Sequence, residues 1–393
     1  MSSSPSATPP EPLHILVIPK WWPNARDPQL GDFIRKQMQA VASMVKVTVL
    51  QVEGVPGVTP VVEAREVDGL FLVRSAYPAS EHPSGPVRKV LNSMRYWRAS
   101  MAGLEQVFAL RGVPALTHVH ILVRPALLAW WIKKKWGIPY VLSEQSSEYL
   151  DGTYGRKGPL FHWISRQLFK GASGISAVSA WLGDGLTKLG LCDRYTIIPN
   201  VIPGLDRPVP PRGPAGRFLV VADLVDKTKN VSGVIKALSL LKRAGTHLEL
   251  TIIGDGPDRP MLEALALREE VATTVTFLGR LPNSAVLDHM ANTGAVIVNS
   301  NVETFSVVTG EALVQGKPVI ATRCGGPQAF ITPNNGQLIE VGDTHGLAEA
   351  MKHVYLDHTR YDPATIRSDV STRFSPDAVG RAFLDLYRQT LRH

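Results

Sequence analysis

Cysteine is scarce: Cys192 and Cys324 are the only two in 393 residues. Neither a disulfide framework nor a zinc site is therefore expected, and a reducing cytoplasm fits. Long unbroken apolar runs are also missing. The most apolar stretch, residues 121–142, is interrupted by Arg124, Pro125, Lys133, Lys134, Lys135 and Pro139, which excludes a membrane-spanning helix of about 20 residues. It reads as a helix followed by a strand. Residues 1–12 are rich in Ser and Pro but lack the basic start and apolar core of a secretory signal, so a floppy tail is expected there and export is not. A paired Asp-x-Asp loop at a strand end is absent too; Asp223 and Asp226 are the nearest pair, and no metal is expected. No repeat of solenoid or propeller period occurs.

What is present is the balance of a globular chain, 44% hydrophobic and 19% charged, long enough for two cores. The net charge of +8 favours an anionic partner. The basic residues are dispersed and accompany no nucleic-acid motif, so nucleic acid is not the expected one. Short apolar runs at 13–19, 46–52, 115–120, 139–143 and 174–178 alternate with segments of helical length, such as the amphipathic stretch 31–45. That alternation predicts a parallel sheet. The Pro- and Gly-rich stretch 204–216 forbids a continuous helix or central strand and reads as a linker. The pattern then restarts at 218–221, 248–253, 275–277, 295–298 and 318–321. Two α/β domains follow, 13–203 and 217–374, with a final amphipathic helix in 375–393 able to pack back on the first domain.

The strongest signal is NSNVETFSVVTGEALVQGKPVIATRCGGP, residues 299–327. A strand ends in a polar loop carrying Glu303, a helix opens near 304–306 and carries Glu311, and a further strand closes on Gly325-Gly326. Ligands of open α/β sheets bind beyond the carboxyl ends of strands, and open helix amides suit a phosphate or sugar hydroxyl. With TIIGDGP at 251–257, VTFLGRLP at 275–282, ISAVS at 175–179 and IIPN at 197–200, the ordered set resembles the family-4 glycosyltransferases, retaining enzymes of two facing Rossmann-like domains (the GT-B architecture).

The resemblance implies a nucleoside diphosphate sugar as donor co-substrate, no bound cofactor, and a hydroxyl acceptor held on the first-domain side. It places Glu303 at the transferred sugar and Glu311 at the ribose hydroxyls, both suited to an acceptor-only carboxylate. It assigns the backbone of Thr304, Phe305, Ser306 and Val307 to sugar hydroxyls and phosphate oxygens, with Gly254 in the same donor site. Ser306 stands where the family usually has glycine. In VVADLVDKTKN, residues 220–230, Lys229 falls on the lysine that serves the diphosphate. Asp223 falls on the family's arginine, leaving Lys227 as candidate replacement. In THVHILVRP, residues 117–125, His118 and His120 share one strand face; His120, nearer the carboxyl end, matches a histidine beside the donor sugar. Gly31 looks like the glycine that admits the donor phosphates, and Gln145 stands where the family often has histidine.

Residues 87–107 carry Arg88, Lys89, Arg95 and Arg98 beside Met94, Tyr96 and Trp97. Such a face either lies on an anionic membrane or grips an anionic acceptor, one that is lipid-linked included; a solvated helix face is the alternative, and residues 156–170 invite the same readings. Peripheral attachment at the inner face of the membrane is the corresponding location. The function expected is hexosyl transfer in glycan, polysaccharide or glycolipid synthesis. A nucleotide-sugar epimerase and a catalytically decayed binding protein are the alternatives, the second suggested by Asp223 and Gln145.

Overall fold

The computed structural model describes residues 13–392; the tail expected at 1–12 lies outside them. The first sheet holds β1 (His14–Pro19), β2 (Lys46–Val55), β3 (Val61–Val67), β4 (Leu70–Pro78), β5 (Leu116–His120), β6 (Tyr140–Glu144), β7 (Gly174–Ala177) and β8 (Thr196–Ile197). Its order is β3-β4-β2-β1-β5-β6-β7-β8. Every pairing is parallel except β3 with β4. The second sheet holds β9 (Arg217–Val221), β10 (Glu249–Ile253), β11 (Val275–Gly279), β12 (Ala295–Val298), β13 (Val319–Thr322) and β14 (Gly336–Ile339) in the order β11-β10-β9-β12-β13-β14, parallel throughout. Both are doubly wound, as the alternation of runs predicts.

The central strands are covered by helices on both faces: β1, β5, β6, β12 and β13 are buried along their whole length, β5 and β6 with polar side chains among the apolar ones. On one face of the first sheet lie α1 (Asp32–Ala42) and the C-terminal helix Pro376–Leu391, whose Val379, Phe383, Leu386 and Tyr387 share a core with Ile15, Val17, Ile34 and Met38. The C-terminal helix thus crosses back from the second domain. The other face is covered by α2 (Gly85–Arg111), α3 (Arg124–Trp136) and α4 (Pro159–Gly171). The two crossings between domains run side by side, the Ile202 N–H donating to the Phe374 carbonyl at 3.1 Å. Among the described residues no helix is long and apolar enough to cross a membrane.

The linker is ordered by contacts with the second domain. Lys317 Nζ donates to the Pro211 carbonyl at 2.8 Å, and the Arg212 guanidinium donates to the carbonyls of Thr359 and Tyr361.

Candidate functional site

Because both sheets point strand carboxyl ends at the gap between the domains, their loops enclose one cleft there. It has a volume of about 550 Å³ and is lined from the first domain by Asp32 and Lys36 and from the second by Lys229, Arg280, Glu303 and Glu311, among others.

Glu303 is fixed by its backbone. Its N–H donates to the Cys324 carbonyl and its own carbonyl accepts from Gly326 N–H at 2.7 Å, so the Gly325-Gly326 loop clamps the loop after β12. Its carboxylate accepts from Lys229 Nζ at 2.5 Å and from Ser300 Oγ at 2.8 Å. Glu311 lies one turn inside the helix Val307–Val314 and accepts from Asn283 Nδ2 at 2.7 Å. Burial raises its pKa; the Asn283 hydrogen bond and the Lys36 charge oppose the rise, and Asp32 adds to it. Across the cleft Asp32 pairs with Lys36 at 2.8 Å and with Arg35 at 2.6 Å.

The helix Val307–Val314 opens on Ser306, whose φ of 73° lies in the left-handed region. This is the conformation that glycine adopts without strain. Here serine takes it, its hydroxyl sharing a hydrogen bond with Thr309 Oγ1 at 2.8 Å. Ser306, Val307 and Val308 line the cleft, so the first amides of this helix open onto it.

Thr304 and Phe305, expected in the same row, are placed elsewhere. The Thr304 carbonyl accepts from Ser179 Oγ of the first domain at 2.6 Å, and Phe305 packs on Phe330 and Phe374. A hydroxyl at the start of a helix in one domain thereby ties the loop after β12 in the other.

Gly254 lines the cleft with φ 134°, where any Cβ would collide with the Ala222 carbonyl oxygen. Gly31 caps α1 at φ 68°, a Cβ there falling 2.5 Å from the Trp21 carbonyl oxygen. Gly31 is therefore held by the chain's own packing while its neighbour Asp32 reaches the cleft.

Two expectations are revised. Lys227 is exposed and lies off the cleft wall, because it faces outward from the single turn Asp226–Lys229 whose last residue faces in. The cation beside Asp223 is instead Arg280, whose Nη2 donates to Asp223 Oδ1 at 3.3 Å. Arg280 was discoverable: it follows Gly279 at the carboxyl end of β11, inside the matched VTFLGRLP.

His120 is likewise not on the cleft wall. It is fully buried between the rings of His118 and Phe383, 4.1 and 6.3 Å away by centroid, and neither ring nitrogen has a partner. Burial pushes its pKa down to about 3, leaving a neutral ring. Sharing a strand face with His118 carries it under the C-terminal helix, where His118 bonds Tyr387 Oη and Ser143 Oγ, both at 2.7 Å.

Gln145 ties β6 to α1 through Gln37 Oε1 at 3.0 Å. Beside it Glu144, unremarked in sequence, is fully buried. Its Oε1 accepts from the Leu122 N–H and from Tyr149, and Oε2 has no partner. Burial pushes its carboxyl up to about 7, with those two hydrogen bonds opposing the rise. The loop it holds is strained, Ile121 and Val123 standing at φ 68° and 89°, where β-branched residues are genuine outliers.

Two α/β sheets face each other across one cleft, with an acidic loop and an open helix start on its second-domain wall, a two-domain architecture with an interdomain site. The family models described as "Glycosyl transferase 4-like domain" and "Glycosyl transferases group 1" match residues 31–201 and 207–365. The chain belongs to this family of glycosyltransferases. Over 197 residues it is 32% identical to the lipopolysaccharide core biosynthesis glycosyltransferase LpsD of Rhizobium meliloti, covering 46% of this chain and 54% of that one. Over 260 residues it is 26% identical to a glycogen synthase of Mycobacterium tuberculosis, covering 62% and 61%. The matches thus span between half and two thirds of these relatives' lengths. A sucrose-phosphate synthase of Thermosynechococcus elongatus superposes with a TM-score of 0.76 over 97% of this chain and 99% of that one. At 16% identity that likeness is one of fold.

Proposed function

We propose that the chain transfers a hexosyl group from a nucleoside diphosphate sugar to a hydroxyl acceptor, with retention of anomeric configuration, in the synthesis of a glycan, polysaccharide or glycolipid. The observation that carries this is the Lys229–Glu303 pair at 2.5 Å beside the open amides of Val307 and Val308, with Glu311 farther along the same helix. In this reading the diphosphate lies between Lys229 and those amides, and the ribose hydroxyls donate to Glu311. The sugar lies against Glu303. As the glycosidic bond breaks, negative charge grows on the departing diphosphate; preorganised donors there stabilise the transition state more than the ground state.

The same reading supplies the cations from the chain's own side chains, so EDTA treatment should leave turnover unchanged. It places the acceptor against the first domain, presented from the inner membrane face in a reducing cytoplasm, which suits the free thiols of Cys192 and Cys324. Incubation with a panel of nucleoside diphosphate sugars, with product anomers read by NMR, tests the proposal. Diphosphate release coupled to an axial-to-axial or equatorial-to-equatorial product is expected; release with inversion, or none from any donor, overturns it.

A further inference from the structure

We infer that the outer face of α2, α3 and α4 is a docking surface for an anionic lipid bilayer, an inference that rests on the membrane-presented acceptor just proposed. These three helices carry eleven Lys and Arg against one acidic residue, Glu105. That excess is larger than the +8 of the whole chain. A solvated helix face carries charges of both signs in comparable number; here eleven bases face one acid. It is also apolar where solvent should favour polar groups. Val90, Leu160 and Trp163 are 60%, 68% and 61% exposed, and five of the eight tryptophans lie on these helices.

The aromatic and cationic groups interleave. Trp97 on α2 meets Trp131 on α3 at 5.4 Å, Trp131 meets Trp136 at 5.0 Å, and Lys135 Nζ stands 4.9 and 4.8 Å over those last two rings. Lys133 Nζ reaches across to the Gly171 carbonyl at the end of α4, so the three helices form one continuous surface. Indole rings capped by ammonium groups suit the headgroup layer, where the ring enters the acyl boundary and the charge stays with lipid phosphate. A linear polyanion would meet the charges but leave Leu160, Trp163 and Val90 in water.

The position of the surface fits its use. Each helix follows a strand whose carboxyl end faces the cleft: β4 ends at Pro78 before α2, β5 at His120 before α3, and β6 at Glu144 before α4. The exposed apolar residues Val90, Leu160 and Trp163 fall in the early turns of α2 and α4, at the cleft end. A bilayer resting there presents headgroup hydroxyls at the mouth of the site.

The test is flotation of the full-length chain with vesicles of phosphatidylcholine alone or with 30 mol% (an assay composition of roughly this size) phosphatidylglycerol, at low and high salt. Binding is expected only to the anionic vesicles and should weaken with salt. Lys134→Ala with Lys135→Ala should lower partitioning roughly twenty-five-fold, from about fivefold per lysine near the surface. Leu160→Ser with Trp163→Ser should weaken partitioning into the anionic vesicles and reduce the blue shift of tryptophan emission that accompanies it. Nucleoside diphosphate binding, followed by thermal shift on the same samples, should be unchanged in both variants, which also shows that they fold. A wild-type chain that binds nucleotide but no vesicles overturns this inference alone. So does vesicle binding indifferent to both variants, or binding to heparin that exceeds binding to anionic vesicles. Loss of nucleotide binding by the wild type would instead strike the donor site.

Discussion

Single residues at the cleft carry opposite backbone requirements. At Gly254 a Cβ has no room against the Ala222 carbonyl, so Gly254→Ala should lower stability in urea by about 2 kcal/mol or more. At Ser306 the side chain fits but the backbone is strained; Ser306→Gly relieves about 1 kcal/mol of left-handed cost and loses one hydroxyl pair, so stability should hold or rise slightly. Glu311→Ala should weaken nucleoside diphosphate binding by about 1–3 kcal/mol, and unchanged calorimetric affinity would remove it from the donor site. Lys229→Ala should lower kcat well beyond Lys227→Ala, by about 10²–10³ for a lost electrostatic contact. Equal effects would contradict the placement of Lys229 in the cleft and Lys227 outside it. Glu144 gives a pH signature. Its carboxyl, ordinarily near 4.5, is held at about 7 in the fold, so between those values the folded chain keeps a proton that the unfolded chain releases. Its contribution is therefore destabilising as pH rises through that window. Glu144→Gln should gain stability over wild type as pH rises from 4.5 to 7, by a difference of order 3 kcal/mol at the top; a pH-independent difference would show that the group ionises freely in the fold. Motif order placed Glu303, Glu311, Lys229 and Gly254 together, and all four line the cleft; Gly31, expected beside them, is held against Trp21 instead. Arg280 was legible by position, inside VTFLGRLP, though its contact with Asp223 was not; Glu144 was not legible, since its role comes from meeting the Leu122 amide of the neighbouring strand's loop, which no local pattern encodes.

Among the elements, the regular strands followed from runs of apolar residues, and the C-terminal helix Pro376–Leu391 coincides with the amphipathic segment seen in sequence. The hairpin of β3 and β4 escaped notice although Asp68-Gly69 sits at its turn with φ of 51° and 78°, a strong two-residue turn signal. Its outer strand is half-exposed to exposed along its length, so it has no apolar run to find. The pair at the end of β5 was legible as one face but not as a buried one, because what covers it arrives from more than 250 residues away, as the His118–Tyr387 separation of 269 shows. His118→Ala leaves the buried Tyr387 hydroxyl unpaired, while Ser143 keeps Ser176, and should destabilise the docked C-terminal helix by about 2–4 kcal/mol. His120→Ala removes no hydrogen bond, so it should cost less and leave nucleotide affinity unchanged. A loss of nucleotide binding in His120→Ala would place that ring at the cleft after all.

For the whole molecule, the domains are coupled by the side-by-side crossings at Ile202 and Phe374 and by the Ser179 bridge to the donor loop, so the cleft is a joint product of both sheets. Its second-domain wall carries Lys229, Glu303 and Glu311, and the first domain supplies α1 on the opposite wall. The central claim is that a nucleoside diphosphate binds in this cleft through Lys229 and Glu311. The most direct measurement is calorimetric titration of UDP, GDP and ADP into the wild type, Lys229→Ala and Glu311→Ala. One nucleotide binding with unit stoichiometry to the wild type, and at least about fivefold more weakly to each variant, is the result predicted; no binding of any of the three nucleotides, or equal affinity for all three proteins, would contradict it.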